Sequence, residues 1–246
     1  MIKGIILAAG KGSRLKTERK PQPKCFTKIN NRFLIDYQIE ALSKIGVDEV
    51  YIITGYKKFF FKKIKKKTIH NKDWNKTNMV QSLLCADKIL KKNECIVSYS
   101  DIIYDSRGLI ELKKSKSSIS ILYDDKWKDL WKKRFTHPLL DAETFKINRN
   151  KNIIEIGKKT KLYKDIEGQY MGLMKFKPSG WKKFTTALKV HFNKGFDKKY
   201  LTDIFQKIIE KDISKIKAVK FSGRWCEIDF PKDIKVTQKI FKKNGI

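Results

Sequence analysis

A glycine-rich, positively charged loop near the amino terminus holds the side chains best suited to chemistry. It follows the apolar run GIILAA; Arg14 lies inside it, and Lys24 comes directly after Pro23. Glycines let backbone N–H groups approach an anion, and lysine and arginine bind phosphate oxygens. We expect a nucleoside triphosphate here, with Lys24 reaching its α-phosphate and Arg14 its β- and γ-phosphates as the catalytic cations. The other residues assigned to this nucleotide site are Leu7, Ala8, Ala9, Gly10, Lys11, Gly12 and Ser13, with Lys16 and Arg19 as further positive charges.

Two common phosphate-binding motifs do not fit this loop. G-x-G-x-x-G fails because Leu15 stands where the third glycine should be, and G-x-x-x-x-G-K-[ST] fails because Lys11 is followed by Gly12. Two glycines alone are also compatible with an ordinary strand-to-loop turn. The fuller pattern, L-A-A-G-x-G-x-R-L followed by Pro-Lys, is more specific, and it resembles the signature of sugar-phosphate and small-alcohol-phosphate nucleotidyltransferases.

The resemblance runs along most of the chain and implies a fold and a reaction. The implied fold is α/β: a Rossmann-like, mixed but mostly parallel sheet flanked by helices, with a small β insertion. The implied reaction is nucleotidyl transfer with release of pyrophosphate, which needs charge neutralisation and in-line alignment rather than a covalent intermediate. The segments EIGKK and GQYMGLMKF resemble cytidylyltransferases of phosphonate and phosphoramidate pathways. We therefore expect CTP as the donor and a role in modifying capsule or surface polysaccharide.

Two aspartates far apart in the sequence are the candidate metal ligands. The segment IVSYSD ends at Asp101 and resembles the family strand that presents a metal-binding aspartate; WCEIDFPKD resembles the late segment that holds the second, Asp229. Carboxylate oxygens are the ligands that Mg²⁺ prefers, and we expect Mn²⁺ to be able to replace it. Position alone also allows Asp101 to be a turn residue at a strand end.

The segment NKDWNKTNMVQSL (residues 71–83) resembles the part of phosphocholine cytidylyltransferases that contacts the nucleobase. Gln81 and Ser82 would meet the ring acceptors of cytosine, and a backbone carbonyl near Ala8 would accept from its amino group. Asn78 is also assigned to the nucleotide site. For Ser82 the sequence equally allows a hydroxyl group that is simply exposed on a helix surface. Hexose-phosphate enzymes often have G-T-A in place of MVQSL and G-D in place of Ser-Asp, so this chain favours smaller acceptors.

The acceptor site is assigned to aromatic and charged residues of the second half. An acidic side chain among aromatic rings would bind an ammonium group, and an arginine would bind phosphate or carboxylate. The resemblance to cytidylyltransferases of phosphoramidate pathways implies L-glutamine phosphate as the first acceptor, with phosphocholine and 2-aminoethylphosphonate as alternatives. The same aromatic and lysine-rich stretch is equally compatible with amphipathic packing or a surface for single-stranded nucleic acid. The acceptor residues are Tyr123, Asp125, Trp127, Trp131, Arg134, Gln169 and Glu227, and Gly168 and Gly172 suggest close backbone approach to the ligand.

The chain is strongly basic, with 57 Lys and Arg against 26 Asp and Glu, but only seven of the 57 basic residues are arginines. A nucleic-acid binder would more often use arginine. We therefore expect a solvated lysine coat, no nucleic-acid partner and no membrane partner; the oligomeric state, monomer or dimer, stays open. The four cysteines are scattered without a C-x-x-C pair, which is typical of reduced thiols in a cytoplasmic protein.

The hydrophobic pattern predicts alternating strands and helices in the first half, the order of a parallel sheet wrapped by helices. We expect one nucleotidyltransferase domain over residues 1–246, with a nucleotide-binding half at 1–105 and an acceptor-binding half at 106–246. The expected helices are 33–45, 57–67, 77–90, 179–191, 200–211 and 231–243. The expected strands are 2–9, 47–55, 68–71, 94–101, 117–125, 168–178, 216–221 and 224–229, with a hairpin at 145–159.

Two rival functions stay open. The first is a sugar-1-phosphate uridylyl- or thymidylyltransferase of the same fold. The second is a basic RNA-binding protein, whose affinity would fall steeply with salt because binding releases counterions.

Overall fold

The structure is a computed structural model that describes residues 1–15, 21–192 and 195–242 of the 246-residue chain. Lys16 and Arg19 of the basic loop, and Lys243 at the expected end of the last helix, lie outside the described residues. Within the described residues the strands are β1 (Lys3–Ala8), β2 (Lys28–Ile29), β3 (Arg32–Phe33), β4 (Val50–Thr54), β5 (Lys67–His70), β6 (Cys95–Tyr99), β7 (Ile102–Tyr104), β8 (Ile119–Asp124), β9 (Glu143–Ile147), β10 (Ile153–Lys159), β11 (Gln169–Phe176), β12 (Lys217–Lys220) and β13 (Trp225–Glu227). In the same part of the chain the α-helices are α1 (Leu34–Ser43), α2 (Met79–Leu84), α3 (Asp87–Leu90), α4 (Arg107–Lys114), α5 (Trp127–Arg134), α6 (Pro178–His191), α7 (Leu201–Glu210) and α8 (Pro231–Ile240).

Seven of these strands form one sheet in the order β12-β8-β11-β6-β1-β4-β5. The pairs β1–β4, β1–β6, β4–β5 and β8–β12 are parallel, whereas β11 runs antiparallel to both of its neighbours, β6 and β8. The antiparallel β9–β10 hairpin is a separate small sheet. The expected fold class, a mixed and mostly parallel sheet with a small β insertion, is confirmed.

Alternate residues of β1 enter two cores on opposite faces of the sheet. Ile6 and Ala8 pack with buried residues of α1, α4 and α5, while Ile5 and Leu7 pack with those of α2, α6 and α7. A strand covered on both faces has an uninterrupted apolar sequence. The first strand therefore ends inside the protein, and the polar loop that follows it emerges at the carboxyl edge of the parallel strands.

A two-stranded ladder of β7 and β13 brings distant parts of the sequence to that same edge. Ile102 pairs with Glu227 in antiparallel register. The next contact continues the ladder, because the backbone N–H of Ile228 donates to the carbonyl of Asp101 at 2.9 Å. Asp101 and Asp229 are therefore neighbours in space although most of the second half of the chain lies between them.

Two expected helices differ from the structure. The basic segment 57–67 contains only a 3₁₀ turn, Lys58–Lys63, because the chain resumes as β5 at Lys67 to pair with β4. The segment 77–90 is divided into α2 and α3 by Ala86, whose backbone leaves the helical region. The helices α4 and α5 have no counterpart among the expected helices. We find no helix in the described part of the chain with the length and hydrophobicity of a membrane span.

Candidate active site

The glycine loop is shaped to pack against Lys24. Gly12 has a φ of +65°, and a Cβ added to it would lie 3.1 Å from the Cβ of Lys24. Only glycine adopts this conformation without strain, and only glycine leaves the lysine stem this much room. At Gly10 an added Cβ would meet nothing within 4 Å. The conformational requirement of the loop therefore lies at Gly12, whereas Gly10, expected to share it, has no such constraint.

The backbone of Lys24 is held in place by the residues on either side of it. Pro23 before it is extended, as expected, and a 3₁₀ turn, Lys24–Phe26, follows. Cys25 and Phe26 of this turn are buried in the core. The backbone of Lys24 is thus anchored, and its long side chain reaches inwards under the glycine loop.

The ammonium group of Lys24 bridges the two predicted metal ligands. Its Nζ lies 3.0 Å from Oδ2 of Asp101 and also donates to Oδ1 of Asp229. Burial alone would lower the pKa of Lys24, but Asp101 and Asp229 outweigh that effect and hold the pKa above its ordinary value. Arg14 lies 2.9 Å from the other oxygen of Asp229. The two predicted catalytic cations and the two predicted metal ligands are therefore in direct contact.

A third acid completes a carboxylate cluster of Asp101, Glu227 and Asp229. One ligand atom from each lies within 4.8 Å of the other two. Oδ1 of Asp101 is buried and has no hydrogen-bond partner among the described residues. Three converging carboxylates with an unsatisfied oxygen are a donor set suited to a hard divalent cation such as Mg²⁺ or Mn²⁺. Glu227, expected in the acceptor site, thus also belongs to the group of candidate metal ligands.

A buried arginine holds the late part of this cluster in place. Arg134 donates from Nη1 to Glu227 at 3.0 Å and from Nε to Asp233 at 3.2 Å. Asp233 in turn accepts the backbone N–H groups of Asp229 and Phe230, each at 2.9 Å. Burial raises the pKa of Glu227 to about 8, with Arg134 acting in the opposite direction. Arg134 was predicted to bind the acceptor, but its buried guanidinium pairs with two acids and does not line either cavity.

A cavity of about 300 Å³, here called the loop cavity, opens beside the glycine loop. Its lining includes the predicted residues Leu7, Ala9, Gly10, Gly12, Ser13, Arg14, Lys24, Asn78, Ser82 and Asp101. Ser82 is buried, and its hydroxyl accepts from Asn71 at 3.1 Å. Asn78 caps α2 by accepting from the N–H of Met79. Three residues of the predicted nucleotide site, Ala8, Lys11 and Gln81, do not line this cavity: Ala8 is buried in the sheet, Lys11 faces solvent, and Gln81 is only half-buried on α2.

A second cavity of about 340 Å³, here called the hairpin cavity, lies between β11 and the β9–β10 hairpin. Arg14, Tyr99 and Asp101 line both cavities, so the two meet at the carboxylate cluster. The predicted acceptor residues Trp131, Gln169 and Glu227 line the hairpin cavity. The arrangement is two adjoining chambers with cations and acids at their junction.

Four predicted acceptor residues lie elsewhere. Tyr123 is buried and stacks on Phe145, Trp127 is buried with its indole donating to a backbone carbonyl, and Asp125 pairs with Lys220 outside the hairpin cavity. Arg134 is the fourth, as described above. Trp127 and Arg134 are on the side of α5 that is buried in the core, so their positions fit the amphipathic-packing alternative.

Gly172 approaches a side chain rather than a ligand. Its φ is +75°, at an irregularity in the pairing of β11 with β8, and an added Cβ would lie 2.7 Å from the ring of Tyr99. An added Cβ at Gly168 would collide with Tyr123. Both glycines are therefore explained by close packing against a tyrosine ring.

The structure adds residues that the sequence patterns did not single out. In the loop cavity these are Trp74, Thr77, Met79, Tyr99, Ser100 and Tyr200. In the hairpin cavity they include Asp141, Glu143, Lys159, Tyr170, Thr202 and Trp225. Thr77 lies inside the segment taken for base contact, and Tyr170 lies next to Gln169, so nearness to a predicted residue was an available signal. Lys159 is the last residue of the EIGKK segment, so that resemblance was a signal for it, although it assigned the lysine no role. Asp141 and Glu143 had no signal, because only the folded position of the hairpin brings them to the site.

Comparisons with known proteins show what this chain is similar to. Residues 4–118 match the MobA-like NTP transferase domain family. The chain is 41% identical over 248 residues to the CTP:phosphoglutamine cytidylyltransferase of Campylobacter jejuni, which covers 94% of this chain and 97% of that protein. A choline-phosphate cytidylyltransferase of Streptococcus pneumoniae is 44% identical over 66 residues, 27% of this chain and 29% of that protein.

Solved structures show the same fold. The inositol-1-phosphate CTP transferase from T. maritima has a TM-score of 0.77 at 20% identity, over 99% of this chain and 98% of that chain. At this identity the likeness concerns architecture alone. The similarity to the C. jejuni enzyme, by contrast, extends over nearly the full length of both chains. On that similarity, together with the glycine loop and the carboxylate cluster, this chain belongs to the nucleotidyltransferase family.

Proposed function

We propose that the protein is a Mg²⁺-dependent cytidylyltransferase that joins CMP from CTP to a small phosphorylated acceptor and releases pyrophosphate. The first candidate acceptor is phosphoglutamine, because the relative that matches over nearly its full length is named for it. Phosphocholine and 2-aminoethylphosphonate, named in shorter matches, are the alternatives. The observation that carries the proposal is the meeting of Lys24, Asp101 and Asp229 at the junction of two cavities.

The loop cavity is the proposed place for CTP. Ser82, whose hydroxyl is held by a hydrogen bond from the buried Asn71, offers a polar group for a pyrimidine, while the glycine loop offers backbone N–H groups for phosphate oxygens. Arg14 has an exposed side chain that contacts Asp229, so it is free to turn to the β- and γ-phosphates. The hairpin cavity then receives the phosphorylated acceptor from the other side.

The divalent ion would be held by Asp101 and Asp229, with Glu227 beside them. When bound, it would neutralise charge on the phosphates that react. Lys24 would then release the carboxylates and place its ammonium near the α-phosphate, where negative charge develops in the transition state. Arg134 and Asp233 would keep Glu227 and Asp229 in register during this exchange.

The proposed step needs no general base. An oxygen of the already ionised acceptor phosphate attacks the α-phosphorus of CTP, a new P–O bond forms, and the bond from the α-phosphorus to the bridging oxygen breaks. The electron pair of that bond leaves with pyrophosphate, and no proton has to move. Since two anions must be brought together, alignment and charge neutralisation supply the rate enhancement.

Pyrophosphate release tests the proposal directly. Each of CTP, UTP, dTTP and ATP is incubated with Mg²⁺, pyrophosphatase and one acceptor at a time: phosphoglutamine, phosphocholine, 2-aminoethylphosphonate or glucose 1-phosphate. We expect release only with CTP and fastest with phosphoglutamine. Formation of the CMP-linked product, measured without pyrophosphatase, should be abolished by EDTA. Preference for UTP or dTTP with the sugar phosphate would support the rival sugar-nucleotide function instead.

The remaining expectations follow from this activity. The reaction would supply a CMP-activated compound for capsule or surface polysaccharide modification, and it would take place in the cytoplasm. We propose no nucleic-acid or membrane partner, and the division into a nucleotide-binding and an acceptor-binding half stays a prediction. Mn²⁺ should support turnover in place of Mg²⁺.

A further inference from the structure

We propose that Glu143 and Lys159, a facing pair on the β9–β10 hairpin, bind the α-ammonium and the α-carboxylate of the acceptor and so select a phosphorylated amino acid. This inference rests on the proposed function and assigns specificity residues to it. Neither residue belongs to the set predicted from the sequence.

The two side chains lie opposite each other in the lining of the hairpin cavity. Lys159 is the register partner of Glu143 in the antiparallel ladder, and the Nζ–Oε1 distance is 3.6 Å. Both line the hairpin cavity, but neither lines the loop cavity. They are therefore placed to contact the part of an acceptor that lies away from the nucleotide.

The ion pair between Glu143 and Lys159 is long and partly exposed to solvent. The side chain of Lys159 is 70% exposed and that of Glu143 is 34% exposed. An ion pair of this exposure contributes little stability, so exchanging it for two ion pairs with a ligand costs little. A zwitterion that carries a cation and an anion on one carbon fits such a pair, each charge meeting its opposite.

A buried amide supports the ammonium half of the assignment. Gln169 is 6% exposed and lines the same cavity, and its Oε1 has no hydrogen-bond partner in the described part of the chain. A buried carbonyl oxygen of this kind calls for an N–H donor. The –NH₃⁺ group of an amino acid supplies three such donors, whereas a quaternary ammonium supplies none.

Further acidic and aromatic groups surround this position. Asp141 lines the cavity and accepts from the indole of Trp131 at 3.1 Å, and Trp225 forms a neighbouring part of the wall. Carboxylates and indole rings both attract a cation. Lys159 would bind the carboxylate of an amino acid. Phosphocholine and 2-aminoethylphosphonate have no carboxylate and would leave this lysine without a partner, so Lys159 favours a phosphorylated amino acid as the acceptor.

The test compares phosphoglutamine with two analogues phosphorylated at the same position, one decarboxylated and one deaminated. In the wild type, kcat/KM should fall with each analogue. Lys159→Met should lower kcat/KM for phosphoglutamine by about tenfold or more, yet leave that for the decarboxylated analogue unchanged. Glu143→Gln should show the converse pattern, with the deaminated analogue unaffected. KM for CTP should stay the same in both variants.

Lys158→Met is the matched control. Lys158 is the neighbouring residue of the same strand, and its ammonium lies 3.7 Å from each of Glu155 and Glu210, outside the cavity. It should behave as the wild type with every acceptor. Lys159→Gln, a second and polar variant, should reproduce the result of Lys159→Met.

Three results would overturn the inference. An equal loss by Lys159→Met on phosphoglutamine and on the decarboxylated analogue would show that the lysine does not bind the carboxylate. If wild-type protein released pyrophosphate from CTP with phosphocholine and not with phosphoglutamine, the cytidylyltransferase proposal would stand and this assignment would fall. If the wild-type protein released no pyrophosphate from CTP with any acceptor, both the cytidylyltransferase proposal and this assignment would be contradicted.

Discussion

The Nζ atom of Lys24 lies 3.0 Å from Oδ2 of Asp101, 77 residues further along the chain, and the same ammonium group also donates to Asp229. The lysine thus occupies the place between two acids where a divalent cation would bring positive charge. We infer that it stabilises the acids until metal and nucleotide arrive, and that it then turns to phosphate. The predictions below test the parts of this account separately.

Lys24→Met should lower kcat by about 10²–10³-fold, the usual loss when one donor to developing transition-state charge is removed. Pyrophosphate release at saturating CTP measures it. Lys28→Met is the matched control because Lys28 is exposed on β2, near the ring of Phe33. A Lys24→Met variant with nearly wild-type kcat would remove this residue from the mechanism.

Asp101→Asn and Asp229→Asn should each abolish turnover and weaken Mn²⁺ binding, because each removes a carboxylate from the cluster. Electron paramagnetic resonance of free Mn²⁺ gives the affinity without relying on activity. Asp125→Asn should change neither quantity, since Asp125 pairs with Lys220 outside the hairpin cavity. Unaltered Mn²⁺ affinity in both cluster variants would show that the ion binds elsewhere.

Gly12→Ala should destabilise the protein by about 1 kcal/mol and also reduce kcat, because φ at this position is +65° and the new methyl group would press on Lys24. Gly10→Ala should leave the free energy of unfolding nearly unchanged, since an added Cβ there has no neighbour within 4 Å. Urea denaturation compares the two. Equal losses of stability would argue against the loop conformation described here.

The sequence was informative where chemistry is local. The glycine loop, the Pro-Lys pair, Asp101 and Asp229 were all predicted, and the structure brings them together. What the residues alone could not supply was the β7–β13 ladder, which sets Asp101 beside Asp229; that pairing came from resemblance. Strand pairing between distant segments depends on tertiary packing, which a single sequence does not express.

The acceptor side shows why the remaining assignments were only partly right. Trp127, Leu130, Trp131 and Arg134 recur at the spacing of one helix face, a signal that could have placed α5 against the core. Only Trp131 of this set reaches the hairpin cavity. Lys159 lies in the EIGKK segment that carries the resemblance, but the segment does not say which ligand the lysine contacts, because that depends on where the hairpin lies.

Arg134→Met should destabilise the protein by about 3–5 kcal/mol, because it leaves Glu227 and the buried Asp233 without their counter-charge. Urea denaturation measures the loss. Arg32→Met is the contrasting control: Arg32 pairs with Glu40 at the surface, and exposed pairs contribute at most about 1 kcal/mol. A loss at Arg134 as small as that at Arg32 would contradict the positioning role.

The central claim, that Lys24, Asp101 and Asp229 surround the reacting phosphates, is tested most directly by crystals grown with Mn²⁺ and a non-hydrolysable CTP analogue. Anomalous scattering locates the metal without assumptions about the ligand. The account predicts a Mn²⁺ peak bound by Asp101 and Asp229, with the analogue's triphosphate in the loop cavity and Nζ of Lys24 moved onto its α-phosphate. A Mn²⁺ peak away from these acids, or Lys24 still bridging them with the nucleotide bound, would contradict it.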